Sequence, residues 1–166
     1  PSVNNQTFDI DENSPTGTTV NPAPGEVVAT DPDAGQTLTY TIVSSTVPGV
    51  IAIDPNNGEL SVANNASLDH ELFSTISVEV KVQDDGTGNL SDQGTMTITV
   101  NDLNDAPSFT LGNNLSVNED AGPFATPNTF ATNIDDGDGG TQTLTFNIVN
   151  NSNPSLFATG PAIDAT

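Results

Sequence analysis

Asn101-Asp102-Leu103-Asn104-Asp105-Ala106-Pro107 is a cluster of amides and carboxylates that ends at a proline. Immediately before it, Met96, Ile98 and Val100 alternate with polar residues, the period-two pattern of a half-buried strand that runs straight into the cluster. The residues before the cluster carry the pattern of one β-domain. After it the same pattern starts again, so the stretch reads as a linker between two repeats.

Working back from the linker, Ile76, Val78, Val80 and Val82 give the clearest strand, with Glu79 and Lys81 facing outward, and it ends at Gln83-Asp84-Asp85-Gly86. Leu38, Tyr40 and Ile42 alternate in the same way, as do Phe8 and Ile10 until Asp11-Glu12-Asn13-Ser14-Pro15-Thr16-Gly17 breaks the run. Ile51 and Ile53, then Leu60 and Val62, read as a hairpin whose turn is Asp54-Pro55-Asn56-Asn57-Gly58. About seven short strands with turn signals roughly every eight to twelve residues, and no helical periodicity, predict an all-β sandwich. Pattern alone leaves the strand topology open.

Beyond the linker, Leu115-Ser116-Val117-Asn118-Glu119-Asp120 matches Phe8 to Asn13, and Gln142 to Val149 matches Gln36 to Val43 nearly residue for residue. Self-similarity at a period slightly over a hundred residues predicts tandem domains. Asp136-Gly137-Asp138 takes the place of Asp31-Pro32-Asp33, Pro107 that of Pro1, and Leu156, Phe157, Ile163 and Asp164 echo Val50 to Asp54. Counterparts of residues 58 to 100 are missing. The expected division is a repeat over 1–101, a linker over 102–107 and the N-terminal half of a second repeat over 108–166, whose inner face, including Phe146 and Ile148, lacks its natural cover.

Composition narrows the partners. Twenty-two acidic residues face a single Lys/Arg, Lys81, for a net charge of −21, so the field repels nucleic acid and anionic membranes and draws cations. Without cysteine there is neither a disulfide nor a thiolate for metal. No apolar run approaches a membrane span and no basic-then-apolar start suggests a signal peptide, so no membrane insertion is expected; a segment of a longer secreted or surface protein is expected.

Asp31-Pro32-Asp33-Ala34-Gly35 and the other acidic stretches are, by themselves, ordinary turn formers. Taken together they resemble the motifs of cadherins. The linker resembles the cadherin Asp-x-Asn-Asp-x-Pro stretch, Glu12 to Gly17 the Glu-Asn-x-Pro-x-Gly stretch, Asp31 and Asp33 the Asp-x-Asp motif, and Leu68-Asp69-His70-Glu71 the Leu-Asp-Arg-Glu motif, with His70 in place of arginine. The resemblance implies an immunoglobulin-like Greek-key β-sandwich. It also implies Ca²⁺ held by Glu12, Asp69 and Glu71 of the first repeat, Asn104 and Asp105 and the carbonyls of Leu103 and Ala106 of the linker, and Asp136 and Asp138 of the second repeat. Asp31, Asp33 and Asp84 would form half of another site at the opposite end, and His70 would point to solvent.

All of these donors are oxygens, which suits Ca²⁺ with its six to eight flexible ligands, and no His/Cys set exists for zinc or copper. Two like charges about 5 Å apart at an effective dielectric of about 20 repel by roughly 3 kcal/mol. Six of the implied ligands are carboxylates, so without cations such a junction should splay, and calcium should turn a flexible linker rigid. Asp136 to Gly140 looks briefly like an EF-hand loop or a glycine-rich nonapeptide, but no Glu stands at the twelfth loop position and the nonapeptide does not recur. Sequons at Asn5, Asn65, Asn89 and Asn114 are expected by chance in a chain this rich in Asn, Ser and Thr.

The function expected is that of a calcium-binding repeat, a rigid extender or adhesion module of a large extracellular or cell-surface protein, in contact with adjacent repeats or with its own kind. The surface composition resembles that of a bacterial adhesin. The alternative is a carbohydrate-binding module for polysaccharide, though sugar sites favour exposed aromatic platforms and only Tyr40 and seven Phe are present. No nucleophile–base order, phosphate loop or separated carboxylate pair marks an enzyme.

Overall fold

The computed structural model describes residues 1–118, 120, 122 and 130–163. The first unit, Pro1–Leu103, contains β1 (Ser2–Val3), β2 (Gln6–Asp11), β3 (Ala29–Thr30), β4 (Leu38–Ser45), β5 (Ile51–Ile53), β6 (Leu60–Val62), β7 (Thr75–Asp84) and β8 (Ser91–Asn101). The second, Asn104–Thr166, contains β9 (Ser108–Leu111), β10 (Ala131–Asp135) and one 3-10 turn at Pro154–Leu156. Contacts divide the chain at Leu103, inside the stretch read as a linker.

In the first unit the alternating sequences become one four-stranded sheet in the order β2-β8-β7-β4. Ile76, Val78, Val80 and Val82 of β7 and Met96, Ile98 and Val100 of β8 are fully buried. Register puts like against like: Ile98 stands between Ile76 on one side and Phe8 on the other, and Tyr40 faces Val82. β2 runs parallel to β8, while β7 is antiparallel to both of its neighbours.

The facing layer is made of the β5–β6 hairpin, the β1–β3 pair and single bridges from Thr19 and Glu26 to Ser61 and Glu59. It contributes Val20, Val27, Leu60 and Val62 to the same core. Each such side chain stabilises the sandwich by about 1.5–3 kcal/mol relative to leaving it in water. The hairpin turn forms as its sequence requires. Asp54 Oδ1 accepts the Asn56 N–H at 2.8 Å, and Gly58 closes the turn at φ 77°, where a Cβ would lie 2.9 Å from the Tyr40 ring.

In the second unit β9 pairs with β10 so that Ser108 faces Asp135, as Ser2 faces Thr30 in the β1–β3 pair. The two pairs, at matched places in the sequence repeat, thus share this register. Its next match fails: residues 143–150 form no ladder, although Gln142 to Val149 copy the sequence leading into β4. β4 owes its ladder to β7, and no described strand stands beside the copy. Phe109 packs edge-on against Phe146 with ring centres 5.0 Å apart, while Leu115, Val117, Ile148 and Phe157 are about half exposed. Glu119 and Asp164, which extend the repeat match, lie outside the described residues.

Candidate metal centre

The first cluster forms where β8 ends. β2 stops at Asp11, and the next residue, Glu12, bonds through its N–H to the Asn101 carbonyl at 3.0 Å, so its side chain turns inward. Asn13 follows with φ 57°, a value that Asn tolerates well, and donates its N–H to the Leu68 carbonyl. Glu12 is only 1% exposed. Its Oε1 accepts the Leu103 N–H at 2.7 Å and its Oε2 accepts the His70 N–H at 2.8 Å, charge-assisted bonds that fix one carboxylate against two loops.

Carboxylate oxygens of Glu12, Glu71 and Asp102 all lie within 4.8 Å of one another. The bond from its own backbone N–H favours the charged form of Glu71. Burial and the carboxylates of Glu12, Asp102 and Asp69 outweigh it and hold the acid above its ordinary value. Asp69 shapes the same turn, with Oδ1 accepting the Leu72 N–H at 2.9 Å. The motif reading did not include Asp102 among the ligands, although it is the first acid of Asp102-Leu103-Asn104-Asp105.

His70 is a correction. Its ring does not point freely to solvent: Nδ1 lies 2.6 Å from the Val100 carbonyl oxygen, a distance at which that nitrogen carries the proton and donates. The Val100 carbonyl, with the carboxylates of Asp102, Glu71 and Glu12, holds the imidazole above its ordinary value against the effect of burial. The acceptor is thirty residues away in sequence, so nothing local to His70 announces it.

The second cluster belongs to the loops after β3 and β7. Asp31 Oδ1 accepts the Asp33 N–H at 2.8 Å, and Asp84 Oδ1 accepts the N–H groups of Gly86 and Leu90 at 3.1 and 3.0 Å. The Asp33 bond, and then the ion pair with the Pro1 amino group, hold the Asp31 carboxyl below its ordinary pKa. Asp33 itself is exposed.

The third cluster lies in the second unit. Asp136 and Asp138 are 3% and 8% exposed. Asp136 accepts the N–H groups of Gln142, Gly140 and Asp138 at 2.7, 2.8 and 3.1 Å, which hold its carboxyl below the usual range. Asp138 accepts the Asp105 N–H at 2.9 Å and meets the Gln142 side-chain amide, which also donates to Asn104 Oδ1 at 3.0 Å. The residues read from the sequence therefore group as Glu12 and Glu71 in one set, Asp31 and Asp84 in another, and Asn104, Asp105, Asp136 and Asp138 in a third. Gln142 was not anticipated.

The family model for the cadherin domain matches residues 6–101. The chain belongs to the cadherin family. It is 33% identical over 154 residues to Protocadherin Fat 4 of Mus musculus, a match that covers 92% of this chain and 3% of that protein. Among solved structures it is similar to extracellular cadherin domains 3–6 of Protocadherin Gamma B2, with a TM-score of 0.55 and 27% identity over 65% of this chain and 27% of that one. The cis-dimer structure of protocadherin gammaB7 EC3-6 gives a TM-score of 0.55 and 26% identity, covering 64% of this chain and 27% of that one.

This cadherin chain thus spans a few per cent of the length of its first matched relative. A cadherin domain is an adhesion module and not an enzyme, and its relatives are extracellular or cell-surface proteins. Matched relatives from mouse and fly lend no support to the bacterial source suggested by the surface composition. Among the described residues no helix is long and apolar enough to cross a membrane.

Proposed function

We propose that this cadherin repeat binds calcium and acts as an extender and adhesion module of a secreted or cell-surface protein. The observation that carries the reading is the gathering of Glu12, Glu71 and Asp102 oxygens within 4.8 Å, with the Glu71 acid held above its ordinary value by burial and then by the neighbouring carboxylates. Three carboxylates at that spacing favour any divalent cation that neutralises them. The donor set is oxygen only, with the nearby His70 turning its Nδ1 to the Val100 carbonyl, and this fits calcium better than zinc or copper.

In the first unit Glu12, Asp69, Glu71 and Asp102, with the Leu103 carbonyl, are the ligands of this reading. In the second they are Asn104, Asp105, Asp136 and Asp138, with the Ala106 carbonyl; Asp31, Asp33 and Asp84 supply a further set. Calcium would neutralise the acidic residues around 102–105 and stiffen the chain there, which is the property an extender needs. Adjacent repeats and further copies of the chain are its partners. Polysaccharide binding finds less support, because Phe8 and the single tyrosine, Tyr40, are buried in the core and the exposed Phe73, Phe109 and Phe157 are joined by no tryptophan.

Glu71→Gln and Asp105→Asn test the assignment. Each should remove most of the rise in melting temperature that calcium gives the unsubstituted chain, and full retention of that rise by both variants would overturn it.

A further inference from the structure

The four-stranded sheet of the first unit turns one side to the core and the other to solvent, and the solvent side differs in charge from the rest of the chain. No charged residue occurs from Ala34 through Ile53, a stretch that contains all of β4, and the outward positions of β8 from Ser91 to Thr99 are Ser, Gln and Thr. On β7, between them, the outward charges are Glu79 and Lys81, which cancel. The neutral area ends at β2, which carries Asp9 and Asp11. Two copies of a chain with a net charge of −21 repel one another over most approaches, so close contact between them costs least across this face.

Lys81 is the single Lys or Arg beside 22 acids, yet among the described residues it forms no ion pair. Its Nζ donates to the neutral Gln83 Oε1 at 2.9 Å. Register sets Lys81 between Thr41 of β4 and Gln93 of β8, and Glu79 between Ser44 and Thr95, so neither neighbouring strand offers an opposite charge. The Ser44 hydroxyl donates to Glu79 Oε2 at 3.1 Å. A strand advances about 3.3 Å per residue, which puts Glu79 and Lys81 about 6.6 Å apart on one face. When the faces of two copies are stacked with their β7 strands antiparallel about the level of Val80, Lys81 of each stands over Glu79 of the other. Parallel stacking in register sets Lys81 over Lys81 and Glu79 over Glu79. The charge pattern is therefore self-complementary under one twofold arrangement and repulsive under the other.

We propose that the outward face of β4, β7 and β8 is a docking surface whose occupant is the same face of a second copy of this chain, with two Lys81–Glu79 ion pairs fixing the antiparallel register. The proposal rests on the reading above that further copies of the chain are partners, and it names the surface they use. Exposed ion pairs add little affinity; their part here is to select the partner and its orientation, while the hydroxyls around them supply hydrogen bonds.

The test is sedimentation of the unsubstituted chain, of Lys81→Glu, of Glu79→Lys and of an equimolar mixture of the two variants, all in one calcium-containing buffer up to about millimolar protein, with each variant's fold checked by circular dichroism. The unsubstituted chain is expected to dimerise. Each variant alone presents like charges to itself and should dimerise at least about tenfold more weakly, while the mixture, in which two acids meet two bases, should recover the dimer. Undiminished dimerisation of both variants, or a mixture no tighter than either variant alone, would overturn this face and leave association through another surface standing. An unsubstituted chain that stays monomeric throughout would overturn the face and the homotypic part of the proposed function together.

Discussion

Single carboxylates in this chain act as fasteners as well as charges. Asp92 of β8 accepts the Val3 N–H at 2.9 Å and so ties β1 to the four-stranded sheet; that bond, and one from Gln93, hold its carboxyl below the ordinary value. A depressed value in the folded state means that Asp92 contributes stability above its unfolded value of 3.8, and that this contribution is lost as pH falls through the lower folded value. Asp92→Asn should therefore lower the urea midpoint at neutral pH, with the gap from the unsubstituted protein closing on acidification below 3.8. An equal gap at both pH values would show that the charge on Asp92 contributes nothing. At this scale the sequence was only partly legible. Glu12 and Glu71 could be placed from their motifs and Asp102 could have been, because the linker pattern begins with it. His70 could not, since its acceptor Val100 is on another strand.

Among the elements, β8 bears most of the sandwich, because it pairs with β7 on one side and β2 on the other while Met96, Ile98 and Val100 fill the core. Ile98, between Phe8 and Ile76, has no room to be replaced by solvent. Ile98→Ala should cost about 2–5 kcal/mol in urea unfolding of the first unit, while Thr99→Ala on the outward face should stay within about 0.5 kcal/mol. Equal effects of the two would contradict the register. Strict alternation made β7, β8 and β4 readable in advance. The parallel pairing of β2 with β8 was not, since periodicity says which residues face inward and nothing about which strand lies alongside. β1 and β3 are two residues each, too short for any period. Residues 142–149 show the limit from the other side: they copy the β4 pattern yet form no ladder, because a strand is made by its partner as much as by its own residues.

Over the whole molecule, a net charge of −21 on 166 residues is a standing repulsion that the fold does not neutralise with bases, since Lys81 is the single Lys or Arg. The acids are not spread evenly. They gather in clusters held by backbone N–H groups, which position the carboxylates without cancelling their charge. On the proposed reading, calcium at those clusters would lower the repulsion only in the folded chain, so its binding would appear as stability. The measurement that tests this most directly is a thermal melt in millimolar calcium against EDTA, repeated with Mg²⁺, which holds its waters more tightly and demands a stricter geometry. The account predicts a large rise in melting temperature with calcium and little with magnesium. The same melting temperature in calcium and in EDTA would contradict it and reduce the acidic motifs to turns.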